Sequence, residues 1–190
     1  LAKDKELLYT YNPFLKPINN IVHANTFDKI GWNLFKDKNY VYYNGSILFN
    51  ADPHSIQELE NDFIKDENFI FCNEKILIGA DPNTFKIISR SISRDKKNVY
   101  YRCSSVNGIN PDSLNPIQLK GQYWKNNEKV YFRSVLINDA KEKSFEALQY
   151  GFAKDSKRIY KNGIPFIEGK TNSFKALNRN YYIHNNIVYF

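Results

Sequence analysis

The chain has 190 residues, enough to bury a real core, and its 42% hydrophobic and 16% aromatic content excludes a disordered polymer. Fourteen Tyr and fourteen Phe with no Met favour strands over helices. The formal charge of +7 is polarised: residues 1–85 hold 8 Lys and Arg against 12 Asp and Glu, and residues 86–190 hold 19 against 8, so a polyanion or acidic partner is a reading for the second half alone.

Taken in order, the chain repeats one unit of about 29 residues. The copies span approximately 1–30, 31–59, 60–89, 90–118, 119–149 and 150–178, with a partial copy at 179–190, and together they read as a single repeat domain. The first copy opens on KDKELLY, with Asp4 as anchor, Leu8 four residues on and Tyr9 five on; an insertion holding Pro13 and Pro17 precedes Thr26-Phe27 and Ile30. The second has Asp37, Val41 and Tyr42, then Asn44-Gly45, Asp52-Pro53, Ser55-Ile56 and Leu59. The third has Asp66, Ile70 and Phe71, then Asp81-Pro82, Thr84-Phe85 and Ile88. The fourth has Asp95, Val99 and Tyr100, then Asn110-Pro111, Ser113-Leu114 and Ile117. In the fifth, Asn126 replaces the anchor Asp, two extra residues lie between it and Asp95, and Val130, Tyr131, Ser144-Phe145 and Leu148 follow. The sixth has Asp155, Ile159, Tyr160, Asn162-Gly163, Ser173-Phe174 and Leu177, and the partial copy ends on His184, Val188 and Tyr189.

Adjacent aliphatic and aromatic residues point to opposite faces of a strand, so each unit carries apolar groups on both sides, as stacking between neighbours requires. The structural signature is Tyr42, Phe71, Tyr100, Tyr131, Tyr160 and Tyr189, and each buried phenol needs a partner, which the backbone of the next copy can supply. The anchor Asp with the residues after it, as in Asp37-Lys38-Asn39, predicts an Asx turn with Asn in the left-handed region. Asn44-Gly45 and Asn162-Gly163 predict two-residue hairpins. The Phe27, Ile56, Phe85 series and its aliphatic partner three residues on predict one helical turn. Asp-Pro or Asn-Pro caps that turn in three copies, with the Ser or Thr beyond satisfying another of its N–H groups; Lys141 and Lys170 replace the cap later and predict looser turns. The expected unit is three strands and one helical turn. The expected fold is mainly β, an open solenoid-like stack of such meanders, with a closed β-propeller as the alternative.

Candidate chemistry is sparse. His23, His54 and His184 stand at unrelated repeat positions and read as surface residues; no metal, nucleotide or cofactor motif is present. The recurrent carboxylates Asp37, Asp66, Asp95 and Asp155 read as backbone acceptors in turns, since one Asp per repeat supplies too few oxygens for calcium. Cys72 and Cys103 fit no metal spacing; free buried thiols are expected, with pairing as the alternative. Lys3, Lys36, Lys65, Arg94, Lys125 and Lys154 precede the anchors as a ladder that either holds a polyanion or glycan or, in the favoured reading, keeps exposed strand edges from pairing. The candidate anion- or glycan-binding set is Arg90, Arg94, Lys96, Lys97 and Arg102, against the plainer reading of solvated charges on strand faces. No apolar stretch is long enough to span a bilayer, no signal peptide is visible, and a start at Leu1 without Met leads to the expectation of a processed or excised segment.

The residues KDKNYVYYNG, the closing half ADPNTFKII and RDKKNVYYR of the next copy resemble the DKNYY family of bacterial repeat proteins. The resemblance covers nearly the whole chain. It implies an exported or envelope-associated protein, placed outside the cytoplasm, with no biochemical activity assigned to the family. The expected function is therefore a non-catalytic protein-binding or scaffold module, and binding of a polyanion or glycan by the basic second half is the alternative. Partners are expected to be another protein or a cell-surface polymer, with nucleic acid ranked below both.

Overall fold

A computed structural model describes the backbone at Ala2–Lys3, Leu8–Tyr9 and residues 23–190. The anchor Asp4 and the insertion with Pro13 and Pro17 lie outside the described residues. Ala2–Lys3 pairs antiparallel with Leu8–Tyr9. The described chain is mainly β, built from small antiparallel sheets with single 3-10 turns, and none of its sheets closes into a barrel. It divides into two compact units, Leu1–Lys96 and Lys97–Phe190.

In the first unit one sheet holds Asp28–Lys29, Leu34–Lys36, Val41–Tyr43 and Ser46–Ile47, and the next holds Gln57–Glu58, Phe63–Lys65, Ile70–Cys72 and Lys75–Ile76. Lys86–Ile87 then pairs with Ile92–Arg94. In the second unit Val99–Tyr101 pairs with Ser104–Val106. One four-stranded sheet follows over Pro116–Gln118, Tyr123–Asn126, Lys129–Phe132 and Val135–Leu136, and another over Glu146–Ala147, Phe152–Lys154, Arg158–Lys161 and Ile164–Glu168. Lys175–Ala176, Tyr182–His184 and Ile187–Tyr189 form a three-stranded sheet.

The complete sheets have four strands where the sequence predicts three. The additional strand is the segment after the second signature, which does not stay helical. The 3-10 turns Pro111–Ser113, Glu142–Ser144 and Thr171–Ser173 stop before Leu114, Phe145 and Phe174, which are already extended, with ψ of 115°, 123° and 131°. A strand follows each of them, and the aliphatic residue three positions beyond the aromatic closes a hairpin: the N–H groups of Leu59, Ile88 and Leu148 donate to the carbonyls of Phe63, Ile92 and Phe152. The i, i+3 spacing is thus that of a cap leading into an edge strand. In the fourth copy the closing residue is Leu119, whose N–H donates to the Tyr123 carbonyl, while Ile117 is 55% exposed. The two extra residues therefore sit between Leu114 and Leu119.

Apolar clusters join successive sheets inside each unit. Leu34, Val41, Leu48 and Ile56 pack with Ile64 and Phe71 of the next copy. Tyr123, Val130, Ile137 and Phe145 pack in the same way with Ala153 and Tyr160, and Phe152 and Ile159 pack with Phe174. The aliphatic residue of one copy meets the aromatic residue of the following one in the first two clusters. Burying each such side chain contributes about 1.5–3 kcal/mol. Tyr42, Phe71, Tyr100, Tyr131 and Tyr160 are all buried, whereas Tyr189 is 38% exposed in the final sheet.

Candidate functional site

The recurrent carboxylates are almost fully buried and act as acceptor hubs. Asp37 Oδ1 accepts from the N–H groups of Asn39 and Tyr40, both at 2.8 Å, and Asp155 Oδ1 from Lys157 and Arg158 at 2.7 and 2.8 Å. The other oxygen reaches back fourteen residues, to the N–H of His23 for Asp37, of Asp52 for Asp66, of Asp81 for Asp95 and of Lys141 for Asp155. Tyr42 and Tyr160 donate their hydroxyls to the same oxygen at 2.9 and 2.6 Å. The phenol partner is thus the anchor Asp of its own copy, not the next backbone. Tyr123 follows the expected pattern, donating to the Gly151 carbonyl and accepting from Gly163 N–H. Burial pushes the Tyr123 hydroxyl up to about 12.

Burial raises the pKa of Asp37 and Asp155, but their N–H and phenol donors outweigh it and hold both below the ordinary carboxylate value. Such groups stay ionised as acceptors and are not poised to move protons. Asn39 does not take the left-handed conformation, because the two bonds to Asp37 Oδ1 close the turn without it. The left-handed residues lie one turn later, at Asn44 and Asn162, each with φ 51°. The predicted caps at Asp52, Asp81 and Asn110 accept the expected N–H two residues on. The Ser and Thr hydroxyls instead accept from the N–H following the next anchor: Thr26 from Lys38, Ser55 from Glu67, Thr84 from Lys96 and Ser144 from Ser156. The turns after Lys141 and Lys170 lack a side-chain cap yet form 3-10 turns, and at Lys141 the Asp155 carboxylate takes the free N–H.

Substitution at the anchor leaves visible traces. With Asn126 in place of Asp, the buried Tyr131 hydroxyl has no hydrogen-bond partner. His184, expected at the surface, is buried in the anchor position, and its Nε2 is likewise without a partner; His23 and His54 are exposed. Both cysteines are disulfide-bonded, against the expectation of free thiols. Spacing along the chain tests metal motifs but carries no information on which strands come together.

Lys36, Lys65, Arg94, Lys125 and Lys154 of the ladder are half-buried rather than a free charged edge. Lys36 Nζ donates to the Pro53 carbonyl at 2.8 Å, Lys125 Nζ to the carbonyl and carboxylate of Glu142 at 3.0 and 2.9 Å, and Lys154 pairs with Glu146 at 3.4 Å. Lys36 and Lys125 hold the turn at the end of their own copy, and Lys154 holds the edge strand Glu146–Ala147 of its sheet. Of the predicted anion-binding set, Arg90, Arg94 and Lys96 lie in the first unit, and Lys97 and Arg102 in the second. Arg90 is in the turn before Ile92–Arg94, and Arg94 lies opposite Lys86.

The second unit holds a cleft of about 670 Å³ that the sequence reading did not single out. It is lined by hairpin turns of three successive copies: Gly121, Gln122, Phe132 and Arg133; Tyr150, Gly151, Lys161 and Asn162; and Arg179. Paired turns build its wall, with Arg133 N–H donating to the Gln122 carbonyl and Asn162 N–H to the Gly151 carbonyl. Gln122 Oε1 accepts from Arg133 Nε at 2.8 Å and orients the guanidinium. Lys161 Nζ sits 3.5 Å from the centre of the Phe152 ring and donates to the carbonyls of Tyr150 and Arg179. Burial pushes its pKa down, and the neighbouring Arg179 adds to that. No carboxylate lines the cleft. Tyr150 and Arg179 stand five residues before their anchors and Arg133 seven after its own, positions that hold Asn61, Gly121, Asn44 and Asn162 in some copies and Arg90 and Arg102 in the fourth.

Compared with known proteins, residues 92–190 match the model of the DKNYY family. No curated protein and no solved structure matches the chain.

Proposed function

Taking as premise that the chain belongs to the DKNYY family, we propose that it is a non-catalytic binding module: an open solenoid-like stack of its 29-residue repeats, working outside the bacterial cytoplasm, that holds an anionic polymer against its second unit. The observation that carries the ligand reading is the cleft bearing Arg133, Lys161 and Arg179 without a lining carboxylate. A concave site with unbalanced cations attracts polyanions over several ångströms, and the attraction weakens with salt. The non-catalytic reading is supported by the anchors Asp37 and Asp155, whose oxygens are consumed by backbone and phenol donors. The open stack is supported by the clusters that link each copy to the next within a unit. Placement outside the cytoplasm is supported by the disulfide-bonded state of Cys72 and Cys103, a state that oxidising compartments maintain. No helix among the described residues is long and apolar enough to cross a membrane.

Heparin chromatography tests the ligand reading. Retention at low salt, released as salt rises and reduced by Arg133→Glu with Arg179→Glu, is the expected result. Failure of the unaltered chain to bind at low ionic strength sinks it. Retention lost only on reversal of Arg90, Arg94, Lys96, Lys97 and Arg102 moves the site to that set. A protein partner is the second reading, favoured by Trp32, Phe49 and Ile78, which are 82%, 76% and 88% exposed in the first unit. Crosslinking to one envelope protein that Trp32→Ala and Phe49→Ala abolish would establish it.

A further inference from the structure

We propose that the cleft of the second unit is a subsite for an acidic polysaccharide: one sugar ring stacks on Tyr150, and its carboxylate is taken by the guanidinium groups of Arg133 and Arg179. The inference rests on the anion-binding reading above and narrows it from any polyanion to a polymer of uronic-acid type.

The first ground is charge. Neither Arg133 nor Arg179 has a carboxylate partner among the described residues, in contrast to Lys125, Lys154 and Arg158, which pair with Glu142, Glu146 and Glu168. Gln122 occupies only Nε of Arg133, so the two terminal nitrogens keep the planar geometry that receives a carboxylate with two parallel bonds. Lys161 already donates to two carbonyls and lies over Phe152, so it contributes field rather than a free donor fork.

The second ground is independent of charge. Tyr150 has φ of +59° and is 43% exposed. A bulky side chain in the left-handed region is a backbone outlier with an energetic cost, and such outliers concentrate where a side chain is held for a purpose. In the other copies where the equivalent turn position is also left-handed it carries Asn61 and Gly121, residues suited to that conformation, while Trp32, Arg90 and Arg179 hold it in copies without a positive φ there. Folding alone therefore favours replacing Tyr150, whereas an aromatic platform at the cleft wall suits the apolar face of a sugar ring. Successive copies set their turns side by side along the cleft, which suits a linear polymer better than a compact anion.

The experiment uses the full chain in calorimetric titrations with three probes at low and moderate salt: polygalacturonate, inorganic polyphosphate and uncharged dextran. Polygalacturonate is expected to bind, with dextran silent. Arg133→Ala with Arg179→Ala should weaken binding at least about tenfold, the loss expected for charge-assisted bonds. Tyr150→Gly should weaken polygalacturonate several-fold, leave polyphosphate unchanged and raise the melting temperature, which separates loss of the platform from loss of fold. Binding of polyphosphate as tight as that of polygalacturonate, with no effect of Tyr150→Gly on either, overturns the sugar assignment while the polyanion reading survives. Absence of binding to both anionic probes overturns the two together.

Discussion

At the scale of single residues, the anchor and its phenol form a pair whose value varies from copy to copy. Tyr160 donates to the Asp155 carboxylate, whereas Tyr131, in the copy whose anchor is Asn126, keeps an unsatisfied buried hydroxyl. Tyr160→Phe should therefore cost about 1.5–3 kcal/mol, the worth of a hydrogen bond to a charged group, while Tyr131→Phe should be neutral or slightly stabilising. Asn126→Asp should stabilise by about 1 kcal/mol at neutral pH by giving Tyr131 its acceptor. Urea unfolding of the variants measures all three, and equal losses in both Tyr→Phe variants would contradict the account. The same carboxylates set the acid limb. Asp37 and Asp155 are held below the ordinary value in the folded chain, so their contribution is fully present above the unfolded pKa, about 4. It is lost as pH falls through their lower folded values, because the unfolded chain then binds more protons. Thermal melts should show stability dropping below about pH 4, and Asp155→Asn, though less stable at neutral pH, should flatten that slope.

At the scale of the element, turns and strands divide the work. Gly163 has φ of +82°, and an added Cβ would stand 2.5 Å from Phe132 Cβ, whereas Gly108, with φ of +76°, faces open space. Gly163→Ala should destabilise more than Gly108→Ala, for which the backbone strain of about 1 kcal/mol is the whole effect. Along the strands, Ile159 is fully buried in a cluster with Phe152 and Phe174, and Val188 is 60% exposed in the last sheet. Ile159→Ala should cost about 2–5 kcal/mol through the cavity it leaves, and Val188→Ala less than about 0.5 kcal/mol. Chemical denaturation of the two variants checks the contrast. The hairpins Asn44-Gly45 and Asn162-Gly163 and the buried aliphatic-aromatic strands were readable from the chain because they depend on neighbours in sequence. The fourth strand was not, since the i, i+3 spacing of Phe145 and Leu148 fits a helical turn as well as a cap followed by an edge strand.

At the scale of the whole molecule, the proposed open stack predicts small-angle scattering with a radius of gyration well above about 16 Å, the compact-globule value for this length. A value near that figure would favour closure into a ring. The cleft of the second unit also arises above the level of a single copy, because its lining comes from turns of three copies. Arg133, Tyr150 and Arg179 are 17 to 46 residues apart in sequence, whereas Arg90, Arg94, Lys96, Lys97 and Arg102 lie close together, and density along the chain does not report which turns share a cleft.

The sequence by itself determined the repeat, the β class, the anchoring turns and the inward-facing pairs such as Val41 and Tyr42, because strand periodicity, turn chemistry and side-chain size act over a few residues. Tertiary structure alone decided that Asp155 serves Tyr160 and the Lys141 backbone, that the lysine ladder ties down helical turns, and that three distant cations share one cleft. Those outcomes depend on which copies come into contact and on how each burial is offset by a partner, quantities that no local pattern encodes.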